Sequence, residues 1–214
     1  EDGDERETVE SLANVIVATF QNEGSNLTEI MPLILLYSMY RPLYSLECFT
    51  EPDSTRLEDW PSFFHLHAQR TLFEPSEESL IALEIPSISI IEDQISLKVQ
   101  NQYEENPYPR WINIPQPHTH IDYHQNLANR FSDLIPKECH PLLNIKSTLP
   151  IGASFEVLVA GCGTGQHPFR VAVKSPEISV IGVDLSRASL SYGKRMAKKF
   201  GVENIRFLQG DILN

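Results

Sequence analysis

Three glycines spaced two apart, Gly161, Gly163 and Gly165, follow the apolar run of "FEVLVAGCGTGQH" (155–167). Glycine lets a backbone approach a bound group with no side chain between them, and a helix beginning after such a turn offers free N–H groups. An acid, Asp184, closes the next apolar run, "ISVIGVD" (178–184), 19 positions beyond Gly165. A carboxylate there is placed to accept both hydroxyls of a ribose. A third run, "IRFLQGD" (205–211), ends in Asp211. Glycines and acids together describe a nucleoside site; the other reading of the glycines is a tight strand-to-helix turn without a ligand.

The turn also separates ligand classes. A dinucleotide turn reads G-x-G-x-x-G/A and needs a small residue at position 166, beneath the pyrophosphate. Position 166 is Gln, and the third glycine comes one residue early, at Gly165.

The elements that must position these residues alternate. A helix is predicted from about Gln166 to Lys174, and a second over "LSRASLSYGKRMAKKFG" (185–201). In the second helix Ser186 is the N-cap, Leu190, Ala197 and Phe200 face inward, and Gly201 is the C′ residue. The run "FEVLVAG" suits an interior parallel strand. Strand, helix, strand, helix, strand is the first half of a Rossmann-like parallel sheet, so the expected class is α/β, preceded by a mostly helical segment.

The turn at 161–165, "GVDLS" (182–186) and "LQGDIL" (208–213) resemble, in order and interval, the motifs of class I S-adenosylmethionine-dependent methyltransferases. The resemblance implies S-adenosyl-L-methionine as cofactor and methyl transfer to an acceptor the motifs leave unknown. It implies that Ala160, Gly161, Cys162, Gly163, Gly165 and Gln166 form the turn around the methionine part and the adenosine. Asp184 would accept from the ribose and Leu185 would wall the adenine pocket. Asp211 would accept from the adenine amino group, with Ile212 packed on the ring. The sequence departs from the family at Val159, where an acid is usual, so contact to the methionine amino group falls to backbone carbonyls, Gln166 or a residue outside this chain. Val159 favours the alternative, a non-catalytic helical interaction module with a degenerate nucleotide-binding fold; an NAD enzyme ranks third. His167 and Tyr108 could reach the pocket, but capping and packing are their ordinary roles, and no catalytic residue is assigned.

Composition bounds the rest. Residues 1–150 carry a net charge of −15 and residues 151–214 one of +3, giving −12 for the 214 residues. An acidic front half disfavours non-specific binding to nucleic acid or anionic membrane. The longest apolar stretch, "IMPLILLYSMY" (30–40), falls short of the roughly 20 residues that cross a bilayer. The acidic first residues do not make a secretory signal. Cys48, Cys139 and Cys162 form no disulfide framework, and reduced thiols in the cytoplasm are expected.

The front half reads as helices broken by prolines. Val9, Leu12, Val15, Ile16 and Phe20 mark one helix, residues 27–40 a second, and 59–73 short helices, with Ser76 the N-cap of the next. Ile91, Ile95, Val99 and Tyr103 recur every fourth position, the pattern of one buried stripe. That helix stops at "NPYPRW". Residues 103–111 allow two readings: a variant of the Asn-Pro-Pro-Tyr loop of amino-methylating enzymes, or an extended strap on which Tyr108 and Trp111 pack against the next domain and Arg110 covers an aromatic face or pairs with a carboxylate. His118, His120 and His124 lack companions at ligand spacing, so no metal is expected.

The expected domains are therefore a helical segment (1–111), a connector with one helix (112–150) and half of a cofactor domain (151–214). "QYEENPYPRW" ahead of "VLVAGCGTGQH" also resembles bacterial methyltransferase domains attached to tetratricopeptide repeats, which implies such a region upstream. No repeat occurs within this chain. The chain lacks an initiator Met and stops after the third strand, and is expected to be a fragment without the half that selects the acceptor. "VLVA" would then be left as a raw sheet edge.

Overall fold

The computed structural model describes residues 3–22, 27–49, 55–113, 156–176 and 178–213. The connector's predicted helix, its three histidines and Cys139 lie outside them. The chain divides into two units, Glu1–Leu80 and Ile81–Asn214. Helix Gln94–Glu105 and the strap behind it, grouped by sequence with the front half, fall in the second unit.

The first unit holds helices α1 (Gly3–Gln21) and α2 (Leu27–Ser38), four short 3-10 turns, and then a short helix α3 (His65–Ala68). A π turn, Gln69–Phe73, carries α3 into α4 (Glu74–Glu84), whose last turn from Ile81 onward belongs to the second unit. Val9 and Ile16 of α1 and Ile30 and Ile34 of α2 are buried, as their helical spacing requires. Around them the rings of Phe49, Trp60 and Phe64 follow one another at 5.6 and 5.3 Å. Ser76 is not an N-cap. The helix is already running at Glu74, and the Ser76 hydroxyl donates to the Leu72 carbonyl one turn back.

The second unit contains α5 (Gln94–Glu105), β1 (Glu156–Ala160), α6 (Gln166–Lys174), β2 (Ser179–Asp184), α7 (Arg187–Lys199) and β3 (Ile205–Gln209). The three strands form a parallel sheet in the order β1-β2-β3, the predicted half of a Rossmann-like arrangement. Helices α6 and α7 match their predicted bounds. Ser186 caps α7 by accepting from the Ser189 N–H at 3.0 Å, Leu190 and Ala197 are buried, and Gly201 follows with φ +66°.

Among the described residues β1 is an edge strand with Leu158 63% exposed, the raw edge expected for "VLVA". The buried stripe expected on α5 needs correction, for Ile95 is 72% exposed and Val99 and Tyr103 stand in the open as well. Periodicity identified one apolar face but not what that face meets.

One ring organises the interior of this unit. A Cβ on Gly165, Gly182 or Gly193 would lie 2.9 to 3.2 Å from atoms of Phe207, so three glycines leave the notch that this side chain fills. The far edge of β3 is also paired. Gln209 N–H donates to the Pro86 carbonyl and Ile88 N–H to the Gln209 carbonyl, both at 2.8 Å, laying residues 86–88 alongside the strand.

Candidate cofactor pocket

Parallel register brings the three strand ends together. Ala160 pairs with Val183, and Asp184 with Gln209, so Gly161, Asp184 and Asp211 emerge at one edge of the sheet. Backbone bonds continue the ladder past the strands: Cys162 N–H donates to the Val183 carbonyl and Gly210 N–H to that of Asp184, each at 3.0 Å. Ligands of open α/β sheets bind at this carboxyl edge.

A cavity of about 420 Å³ lies there, within the range of roughly 300–1,000 Å³ for small-molecule sites. Its floor is Gly161 and Gly163, with Asp184, Leu185, Asp211 and Ile212 at the strand ends. These are six of the ten cofactor residues expected from sequence. The remaining four, Ala160, Cys162, Gly165 and Gln166, are not among the lining residues. Gly161 and Gly163 have positive φ and open space where a Cβ would stand. Gly165, with φ +79°, is tight against Phe207 and the Gly193 Cα, so it packs α6 onto the sheet. Cys162 is buried, and desolvation, followed by the nearby Asp184 charge, pushes its thiol well above the ordinary range. It is a packing residue and stays protonated. His167 is exposed and does not line the cavity.

The two acids differ. Asp184 accepts from the Gly163 N–H at 2.7 Å through one carboxylate oxygen and from the Ser186 N–H at 3.1 Å through the other. It therefore ties the glycine turn to the β2–α7 loop, and each oxygen retains a lone pair for a ligand hydroxyl. Asp211 is almost wholly buried. Its Oδ1 accepts from the Leu213 N–H at 3.0 Å, and its own N–H donates to the Ser89 hydroxyl at 3.0 Å. Its Oδ2 is buried without a partner. A buried acceptor left open costs about 1–3 kcal/mol, and a ligand donor at that point would recover it.

The opposite wall comes from upstream. Ile95, Ser96, Val99 and Tyr103 of α5 and Tyr108 of the strap line the same cavity. The strap is fastened to the glycine turn: the Trp111 indole N–H donates to the Thr164 carbonyl at 3.0 Å, and the Thr164 hydroxyl to the Pro109 carbonyl at 2.6 Å. Tyr192 donates its hydroxyl to the Trp111 carbonyl. Trp111 is buried against Phe169 and Tyr192, and Arg110 lies 4.5 Å over the Tyr192 ring, as the strap reading expects. Tyr108 instead is 75% exposed on the cavity side. The amino-methylase reading placed this loop at the end of a buried strand; it follows a helix, α5.

Among the described residues no cluster of His, Cys, Asp or Glu could hold a metal ion, and no helix is long and apolar enough to cross a membrane.

The methyltransferase domain family matches residues 152–214. A tRNA (guanine-N(7)-)-methyltransferase of Chloroflexus aggregans is 37% identical over 71 residues, 33% of this chain and 31% of that enzyme. A release factor glutamine methyltransferase of Bacillus subtilis is 34% identical over 35% of this chain and 25% of its own length. A trans-aconitate 2-methyltransferase of Deinococcus radiodurans is 35% identical over 34% of this chain and 26% of its own. The chain thus spans about a quarter to a third of the length of these relatives. Gly161, Gly163, Gly165, Asp184 and Asp211 all fall inside the segment matched by the methyltransferase domain family.

Proposed function

We propose that this chain provides the cofactor-binding part of an S-adenosylmethionine-dependent methyltransferase. The observation that carries the reading is the buried, unpartnered Oδ2 of Asp211, in a cavity that also holds Asp184 and the open cradle of Gly161 and Gly163. An acceptor without a donor fits the adenine amino group, and two free lone pairs on Asp184 fit the two ribose hydroxyls. Leu185 and Ile212 supply apolar surface on the adenine side. When bound, the cofactor would supply a sulfonium methyl group, whose carbon would bond to the acceptor as the carbon–sulfur bond breaks and the sulfur leaves as a neutral thioether.

The work left to the chain is alignment and exclusion of water. Asp184 fixes the turn and the ribose together, so the nucleoside is held relative to the glycines. Tyr103 and Tyr108, with Ile95 and Val99, cover the side away from the sheet. Val159 is buried and apolar where the family carries an acid, so the amino group of the methionine part is left to carbonyls of the turn or to Gln166. The same residue favours a second reading, a binding module with no catalytic role.

The acceptor differs in name among the three relatives: a guanine of tRNA, a release-factor glutamine, a small carboxylic acid. The residues assigned roles in this pocket concern the cofactor, and the proposal stops there. Isothermal titration of the protein with S-adenosylhomocysteine tests it. Binding that Asp184→Ala weakens at least about tenfold, the loss of one or more charge-assisted hydrogen bonds, is expected. No binding, or binding indifferent to that substitution, would overturn the reading, and retained binding without methyl transfer to any acceptor would favour the binding module.

A further inference from the structure

The helix that carries the cofactor loop is capped from two sides, and one cap comes from α5. An α-helix opens with four N–H groups that lack intrahelical acceptors. In α7 all four are satisfied by side chains. Ser186 N–H donates to Asp184 Oδ1 at 3.1 Å, and Ser189 N–H to the Ser186 hydroxyl at 3.0 Å. The two between them, Arg187 and Ala188, donate to the two carboxylate oxygens of Glu104, at 2.6 and 3.0 Å. One turn earlier on α5, the Gln100 amide donates to the Leu185 carbonyl at 3.2 Å. Gln100 and Glu104 therefore grip residues 185–188 from 83 to 85 positions away in sequence.

We propose that Glu104 is a positioning residue for the nucleoside end of the cofactor pocket, acting through the first turn of α7 on Asp184 and Leu185. The assignment rests on the cofactor reading above. Its physical basis is that Asp184 has two tasks, capping Ser186 and receiving a ribose. With Glu104 in place, the positive end of the α7 dipole already faces a carboxylate at Arg187 and Ala188. Asp184 is then held to Ser186 and Gly163 and keeps its outer lone pairs for the ligand. Without Glu104 the Arg187 and Ala188 N–H groups need another acceptor, and Asp184 is the nearest carboxylate on that loop. Drawn toward the helix, it would leave the ribose.

The pairwise ratio of affinities for S-adenosylhomocysteine and its 2′-deoxy analogue reads this directly, because a hydroxyl is the only difference between the two. Glu104→Ala should weaken S-adenosylhomocysteine about tenfold, the scale of one lost helix cap, and the deoxy analogue less, so that the ratio shrinks. Glu104→Gln keeps one acceptor oxygen and the shape of the side chain, and should fall between; it also serves if the alanine variant does not fold. A lower melting temperature with both affinities unchanged, or with both reduced equally, would overturn the positioning role and leave Glu104 as a purely structural cap. Wild-type protein that binds neither compound would overturn the cofactor reading and this assignment together, whereas variants indistinguishable from a wild type that binds would overturn this assignment alone.

Discussion

Two walls face each other across the cavity of the second unit, and they are built by different means. The sheet-side wall is backbone: glycines with positive φ, strand ends in register, and N–H groups donating to carbonyls a strand away. The α5–strap wall is held by side chains that reach main-chain groups across 53 to 85 residues, from Trp111, Thr164, Gln100 and Glu104. The first is a local device that any chain with the right turn can form. The second exists only once α5 and the strap have docked. A pocket with one wall of each kind should respond unequally to substitution, and that inequality can be measured.

The largest expected effect is on the docked wall. Trp111→Ala removes a buried ring that lies 5.1 Å from Phe169 and 5.8 Å from Tyr192, together with the bond to the Thr164 carbonyl. Truncation of a buried aromatic costs about 3–5 kcal/mol, and urea denaturation of the second unit should show a loss of that size. A change below ~1 kcal/mol would mean that the strap leans on the sheet without being part of its core. Next is the glycine turn, where two glycines should behave differently. Gly165→Ala places a Cβ 2.9 Å from the Phe207 ring at φ +79°, and left-handed strain with overpacking should cost about 2–4 kcal/mol. Gly161→Ala meets open space and bears only the strain, about 1–2 kcal/mol, while placing a methyl group in the cavity. The first variant should lose stability, and the second should lose mainly affinity for S-adenosylhomocysteine. Equal losses of stability would erase the distinction between a packing glycine and a cradle glycine.

That distinction marks what sequence makes legible. Strand order, helix bounds, the Ser186 cap and the gathering of Gly161, Asp184 and Asp211 all follow from runs of residues adjacent in the chain, because parallel register and cap geometry are local rules. The resemblance implies a ligand role for Gly165 on the same footing as its neighbours. The structure adds a packing role against Phe207, 42 positions on, which nothing in the turn announces. The α5 stripe failed for a related reason. An apolar face at Ile95, Val99 and Tyr103 has the same periodicity whether it meets a core or a cavity, and only the folded unit decides. Ser89, Gln100 and Glu104 had no signal of their own, being ordinary polar residues whose meaning comes from backbone groups far along the chain. The one cue was their place just ahead of the strap, where Trp111 already hinted at docking.

The smallest effect bears most directly on Asp211, whose N–H donates to the Ser89 hydroxyl ahead of α5. An open Oδ2 in a nearly buried carboxylate is unfavourable in the ligand-free protein, and the cost is recovered only if a donor arrives. Asp211→Asn keeps an oxygen for the Leu213 N–H and replaces the open oxygen by an amide NH2. A neutral group is then left unpaired in place of a carboxylate oxygen, so the free protein should be unchanged or more stable by ~1 kcal/mol, measurable in the same denaturation experiment. The adenine amino group would now meet a donor instead of an acceptor, and S-adenosylhomocysteine affinity should fall at least about tenfold. Opposite signs on stability and binding are what a residue kept for its ligand produces. If stability falls and binding holds, Asp211 belongs with Thr164 and Trp111 among the groups that fasten the second wall, and the adenine end of the pocket must be sought on α5.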